Sequence, residues 1–133
     1  MLRSVLEDAA RDLVYSSESD EPFAYIEFAD DGTDALDAER FRARAGISAG
    51  ATIAERSLDD FLARHIETSD PFDARTQAIR PRYERLKSVL REQLSGVRVF
   101  RTAMPGDVRI RCYIVGHDSR GQIAGLVTDA VET

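Results

Sequence analysis

Apolar residues change rhythm along the chain, from helical spacing to strand alternation and back. Leu2, Val5, Leu6, Ala9, Ala10, Leu13 and Val14 recur at steps of three and four, one stripe of an amphipathic helix. Serines, acids and a proline in "SSESDEP" (16–22) interrupt that stripe and predict a loop. "FAYIEFA" (23–29) is short and aromatic-rich, hence a strand, and "DDGTD" (30–34) then turns the chain. "LDAERFRARAG" (36–46) suits a short helix ended by Gly46, and "ATIAE" (51–55) a short strand. Ser57 and Asp60 are placed as N-cap and third helical residue before Leu58, Phe61, Leu62 and Ile66, so another helix begins at 57. After the loop "ETSDPFD" (67–73) the longest helix is expected over 74–94. Ile79, Tyr83, Leu86, Val89, Leu90 and Leu94 face inward, Gly96 follows its end, and Pro81 marks a kink or the first turn proper.

Strand alternation dominates from there. "VRVFR" (97–101) opens a strand and "AMPGD" (103–107) turns. "VRIRCYIV" (108–115) sets Val108, Ile110, Cys112 and Ile114 against Arg109, Arg111, Tyr113 and Val115. "GHDSRGQ" (116–122) leads into a last strand from Ile123, in which Leu126 to Val131 alternate as a half-buried strand does. Gly125 predicts a close backbone approach or a bulge. Helices set among antiparallel strands, without repeats, linkers or low-complexity tracts, predict one layered α+β domain over residues 1–133.

Composition narrows the class. With 43% apolar and 32% charged residues, the chain has the balance of a soluble globular protein. No stretch approaches the roughly 18 apolar residues that a membrane span needs, so no membrane partner is expected. Acids at Glu7, Asp8 and Asp12 are unlike the basic start of a secretory signal, and a cytoplasmic location is expected. Net charge is −6, unevenly spread: residues 1–73 hold 18 acids against 7 basic residues, and residues 74–133 hold 6 against 11. An acidic half of this kind argues against direct nucleic acid binding and for a basic partner.

Few residues suggest chemistry of their own. Cys112, the single cysteine, lies in an apolar alternation and reads as a buried hydrophobe. His65 and His117 stand far apart, and nothing in their spacing encourages a nucleophile–histidine arrangement. Glu67, Asp70 and Asp73 lack the ligand pattern of a calcium loop, and "DDGTD" is a turn. No phosphate-cradling glycine loop, zinc spacing or nucleophile elbow occurs. "VRIRCY" is compatible with an RNA contact or with a solvated sheet face. No enzyme site, cofactor or resident metal is therefore expected. The last strand runs to Glu132 and Thr133, which would set a hydroxyl and a carboxylate at the lip of the sheet.

"SESDEPF", "SLDDF", "SDPFD", "VFR", "YIVG" and the closing "GQIAGLVTDAVET" occur in the order found in the nuclease A inhibitor family, which this chain resembles from about Tyr15 to Thr133. The resemblance implies a three-layer α/β/α sandwich likened to the pathogenesis-related-protein fold. It also implies a protein partner, a sugar-nonspecific DNA/RNA endonuclease with a histidine base and one magnesium ion. In that family the C-terminal end enters the nuclease active site and its threonine reaches toward the magnesium. Carried over, that residue is Thr133, with Glu132 beside it; the interface glutamate falls on Glu18 and the loop aspartate on Asp70. Family members usually place a tryptophan directly after that aspartate, whereas this chain has Pro71 and then Phe72. Phe72 is then either the substitute anchor or a plug packed back onto the domain. The expected interface is Glu18, Asp70, Phe72, Glu132 and Thr133. Two alternatives remain: a binding module of the same fold with another target, and a small hydrolase using an acid pair such as Glu18 and Asp70.

Overall fold

The computed structural model describes residues 1–67 and 72–133. Its elements run α1 (Leu2–Ala10), β1 (Val14–Ser16), β2 (Asp20–Pro22), β3 (Ala24–Phe28), α2 (Ala38–Ala45), β4 (Thr52–Arg56), α3 (Leu58–Ile66), α4 (Ala74–Gln93), β5 (Ser95–Ala103), β6 (Arg109–His117) and β7 (Ile123–Val131). β5, β6 and β7 form an antiparallel meander at the centre of a five-stranded sheet of order β3-β7-β6-β5-β4. β3 and β4 close its two edges, also antiparallel. β1 and β2 make a separate hairpin. No helix among the described residues is long and apolar enough to cross a membrane.

Two-residue periodicity in the central strands divides the core between the sheet faces. Cys112, Ile114, Ala124, Leu126 and Ala130 lie under α1, α3 and α4, packed with Leu6, Phe61, Leu62, Leu86 and Leu90. Tyr113, Val115, Ile123 and Val127 face the other way, onto Leu36 and the Phe41 ring of α2. Helices on both faces of an antiparallel sheet give the α+β, three-layer arrangement expected from the sequence. β7 differs from expectation in being buried on both faces, because it lies inside the sheet with helices above and below. Gly125 explains how it fits: a Cβ there would lie 1.8 Å from the Ile114 carbonyl oxygen. The register Gly125↔Val115 is unbroken, so this is close approach and not a bulge.

Several boundaries follow their capping chemistry. Asp37 accepts from Arg40 N at 2.8 Å to start α2, and Gly46 ends it in the left-handed region at φ 69°. Ser57 accepts from Asp60 N at 3.1 Å and starts α3. Others depart from the apolar pattern. α1 stops at Ala10, since Asp12 turns the chain at φ 64° and Val14 enters β1. Pro81 lies inside α4 and not in its first turn. Gly96 does follow the end of α4, as expected, but it also lies within β5, where the register with β6 shifts between Ser95 and Arg98. The segment 16–22, expected as a loop, supplies one end of β1 and all of β2. Its polar composition hid the hairpin because only Tyr15 of the two strands is fully buried.

Candidate functional site

The β1–β2 hairpin is fastened to the end of β7. Ser17 Oγ accepts from Val131 N at 2.8 Å, Glu18 N donates to Val131 O at 3.2 Å, and Thr128 Oγ1 donates to Glu21 O at 3.2 Å. Beyond the strand, Glu18 takes both donors of Thr133: Oε2 accepts from the backbone N–H at 2.6 Å and Oε1 from the side-chain hydroxyl at 2.8 Å. On the opposite side Glu132 N donates to Val108 O at 2.8 Å, and the Glu132 carboxylate pairs with Arg101. Glu18, Glu132 and Thr133 are all exposed. Their segment is thus fixed between the hairpin and the β5–β6 turn, although its side chains remain in solvent. With its proton engaged by Glu18, the Thr133 hydroxyl has only lone pairs to offer a neighbour.

Side chains from α3 and α4 stand in for a further strand beside the hairpin. Tyr83 Oη donates to Val14 O at 2.5 Å and accepts from Val14 N at 3.3 Å. Two residues on, Ser16 N donates to His65 Nε2 at 3.3 Å while Arg64 donates to Ser16 O. The backbone groups of Val14 and Ser16 on that side are therefore satisfied. His65 stacks on Tyr83, with centroids 4.2 Å apart, and meets Tyr15 edge-on. Burial pushes the imidazole down to about 4, with the Arg64 charge adding to the effect and Asp20 opposing it.

Because Nε2 must be unprotonated to accept the Ser16 bond, the contact has a pH limit. An unfolded histidine titrates near 6.5, so the unfolded chain binds more protons between that pH and the folded value of about 4. The stability contributed by neutral His65 is complete above roughly pH 6.5 and falls as pH drops toward 4. An NMR titration should show the His65 ring changing charge near pH 4, with faster exchange of the Ser16 amide on the acid side. A midpoint near 6.5 would refute the buried, acceptor role.

The sequence model for nuclease A inhibitor-like proteins matches residues 2–133. The chain belongs to the nuclease A inhibitor-like family. No individually curated protein matches it. Of the residues expected at this inhibitor-like protein's interface, Glu18, Glu132 and Thr133 come together on one surface. Asp70 and Pro71 lie outside the described residues. Phe72, at 94% exposure, is not buried as a plug. Phe72→Ala is accordingly expected to change stability by less than about 0.5 kcal/mol in thermal melts, as surface substitutions usually do.

A second polar cluster lies in the opposite layer and had no signal in the sequence. Asp30, with no exposed side-chain surface, accepts from Arg40 at 2.6 and 3.2 Å, pairs with Arg44 at 3.1 Å and meets His117 Nε2 at 2.7 Å. Burial would raise its pKa, but the bonds from Arg40 and His117 outweigh that and hold it well below the usual carboxylate range. The cluster ties α2 and the loop before it to the end of β6. Asp30 thus accepts from two arginines and meets His117 at the same time. Among the described residues, no group of three His, Cys, Asp or Glu side chains is placed to hold a metal ion.

Proposed function

We propose that this chain is a protein inhibitor of a sugar-nonspecific, magnesium-dependent DNA/RNA endonuclease. Its Glu132–Thr133 segment and acidic hairpin occupy the nuclease active site. One observation carries the reading: Glu18 holds both donors of Thr133, so residues 115 positions apart form one exposed unit. Their acidity suits a cleft built to attract polyphosphate, and a hydroxyl oxygen is a hard ligand that magnesium accepts in place of water. The magnesium belongs to the nuclease, not to this chain. Phe72 serves as the aromatic contact beside Asp70, and aromatic residues are common binding hot spots.

The test is a plasmid-degradation assay against magnesium-dependent nonspecific nucleases, with and without the purified chain. Inhibition of at least one nuclease, lost on Glu18→Ala, is the expected result. That variant releases Thr133 and removes an interface charge, so a loss of roughly 2–5 kcal/mol in binding is expected. Phe72→Ala should cost about 2 kcal/mol or more if the ring is a hot spot. A binding module with a different target would leave every nuclease in the panel fully active.

A further inference from the structure

Arg101 is a charge at a position where the strand pattern calls for an apolar side chain. Val97, Val99 and Arg101 alternate along β5 onto the helical face of the sheet, where Val99 is fully buried and Val97 packs against the same core. Arg101 shares the lining of a small cavity with the Tyr15 and Phe61 rings, themselves stacked at 4.2 Å, and keeps only 17% of its side chain exposed. Neither cross-strand neighbour offers a carboxylate, since Ala54 stands opposite on β4 and Cys112 on β6. The Nε of Arg101 is buried and meets no hydrogen-bond partner among the described residues. The Cys112 thiol opposite it is a weak acceptor.

A guanidinium buried with an orphaned donor costs stability, and well-packed apolar residues often replace ion pairs of this kind without loss. What Arg101 gains is Glu132. Because β6 separates β5 from β7 in the sheet, the guanidinium reaches across a whole strand to a carboxylate 31 residues later. Ala130 lies in the helical-face core, and Glu132, two residues on, continues that face beyond the last strand. There the Glu132 backbone N–H donates to Val108 O at 2.8 Å, and Glu18 holds Thr133. Backbone and side chain of Glu132 are thus fixed together, and with them the direction in which Thr133 leaves the sheet.

We propose that Arg101 is a positioning residue that serves binding and not the fold: through Glu132 it orients Thr133 for the protein partner. This rests on the Glu132–Thr133 segment being the partner-facing one. Ordering the segment beforehand raises affinity without any contact from Arg101 to the partner. An inhibitor that presents the competent tip about a tenth of the time binds about tenfold more weakly.

One arm of the test uses the isolated chain, without any nuclease. Arg101→Met keeps a long apolar stem and leaves behind Glu132, which at 46% exposure is hydrated without its partner. The melting temperature is expected to equal or exceed that of the native protein. The heteronuclear NOE values of the Glu132 and Thr133 amides are expected to fall toward those of an unordered segment. Glu132→Gln, an exposed change, should lower the Thr133 value from the other side of the pair. Unchanged NOE values in either variant overturn the proposal, and Glu132→Gln decides alone if Arg101→Met does not fold. A melting temperature lowered by more than about 5 °C in Arg101→Met marks an arginine that the fold needs, and also overturns it. The other arm measures inhibition. Arg101→Met should weaken it about tenfold or more, and on a Glu132→Gln background should add less than about twofold, since both act through one pair. Full additivity, or undiminished inhibition by Arg101→Met, overturns the positioning role while leaving the inhibitor reading intact. If no nuclease is inhibited by the native chain, that reading fails and the proposal falls with it, whatever the NOE values show.

Discussion

A short glycine–serine tail fused after Thr133 should leave the melting temperature unchanged while weakening inhibition by at least about a hundredfold, ~2.7 kcal/mol. The fold is insensitive because Glu132 and Thr133 are exposed and follow the last strand, where added residues displace nothing. Under the proposed mechanism binding is sensitive, because a residue that probes a metal-containing cleft leaves no room for chain beyond it. Thr133→Val separates the hydroxyl from this steric effect. It keeps the branched shape and the backbone bond to Glu18 but removes both the hydroxyl's bond to Glu18 and the proposed oxygen ligand, with an expected loss of roughly 1–3 kcal/mol. A tailed protein that inhibits as tightly as the untailed one would show that "VET" only completes a strand.

Gly125→Ala is expected to be the most damaging single methyl group in the molecule. Its Cβ would lie 1.8 Å from Ile114 O and 2.9 Å from Ile114 C, both backbone atoms of the adjacent central strand. No rotamer change relieves a clash with backbone, so β6 and β7 must separate where each is buried on both sides. The expected cost exceeds about 4 kcal/mol, enough to leave a marginally stable domain largely unfolded. Circular dichroism and urea unfolding of the variant would measure it. A transition within a few tenths of a kcal/mol of the wild type would mean that the strands readily part at this point.

Elements with enough length to repeat their pattern were legible in the sequence. α3 showed its Ser57 cap and its apolar stripe because it turns one face to one core, and β6 was legible from its length although its middle is buried on both faces. The β1–β2 hairpin was not legible. Three-residue strands give no countable alternation, and its outer edge is satisfied by Tyr83, His65 and Arg64, none of them near it in sequence. The helical stripe of α1 overran into Val14 because apolar spacing does not register a left-handed residue such as Asp12. Site residues were reached through family motifs and not through periodicity. The Glu18–Thr133 contact and the Asp30–His117 contact both join residues remote in sequence, and no local pattern encodes a pairing at that separation.

Strand order also governs when the molecule can assemble on the ribosome. β3 and β4 emerge early, but neither has its sheet partner until β7 and β5 follow. β7, the last strand made, is an interior strand with neighbours on both sides. Until it leaves the exit tunnel, β3 has no partner in the sheet and the hairpin lacks its bonds to the end of β7. β4, β5 and β6 can pair before β7 is made, at a translation rate of about 5–20 residues per second, whereas β3 must wait for it. The acids concentrated in the first 73 residues are synthesised first. Like charges of that kind disfavour association between copies of the segment.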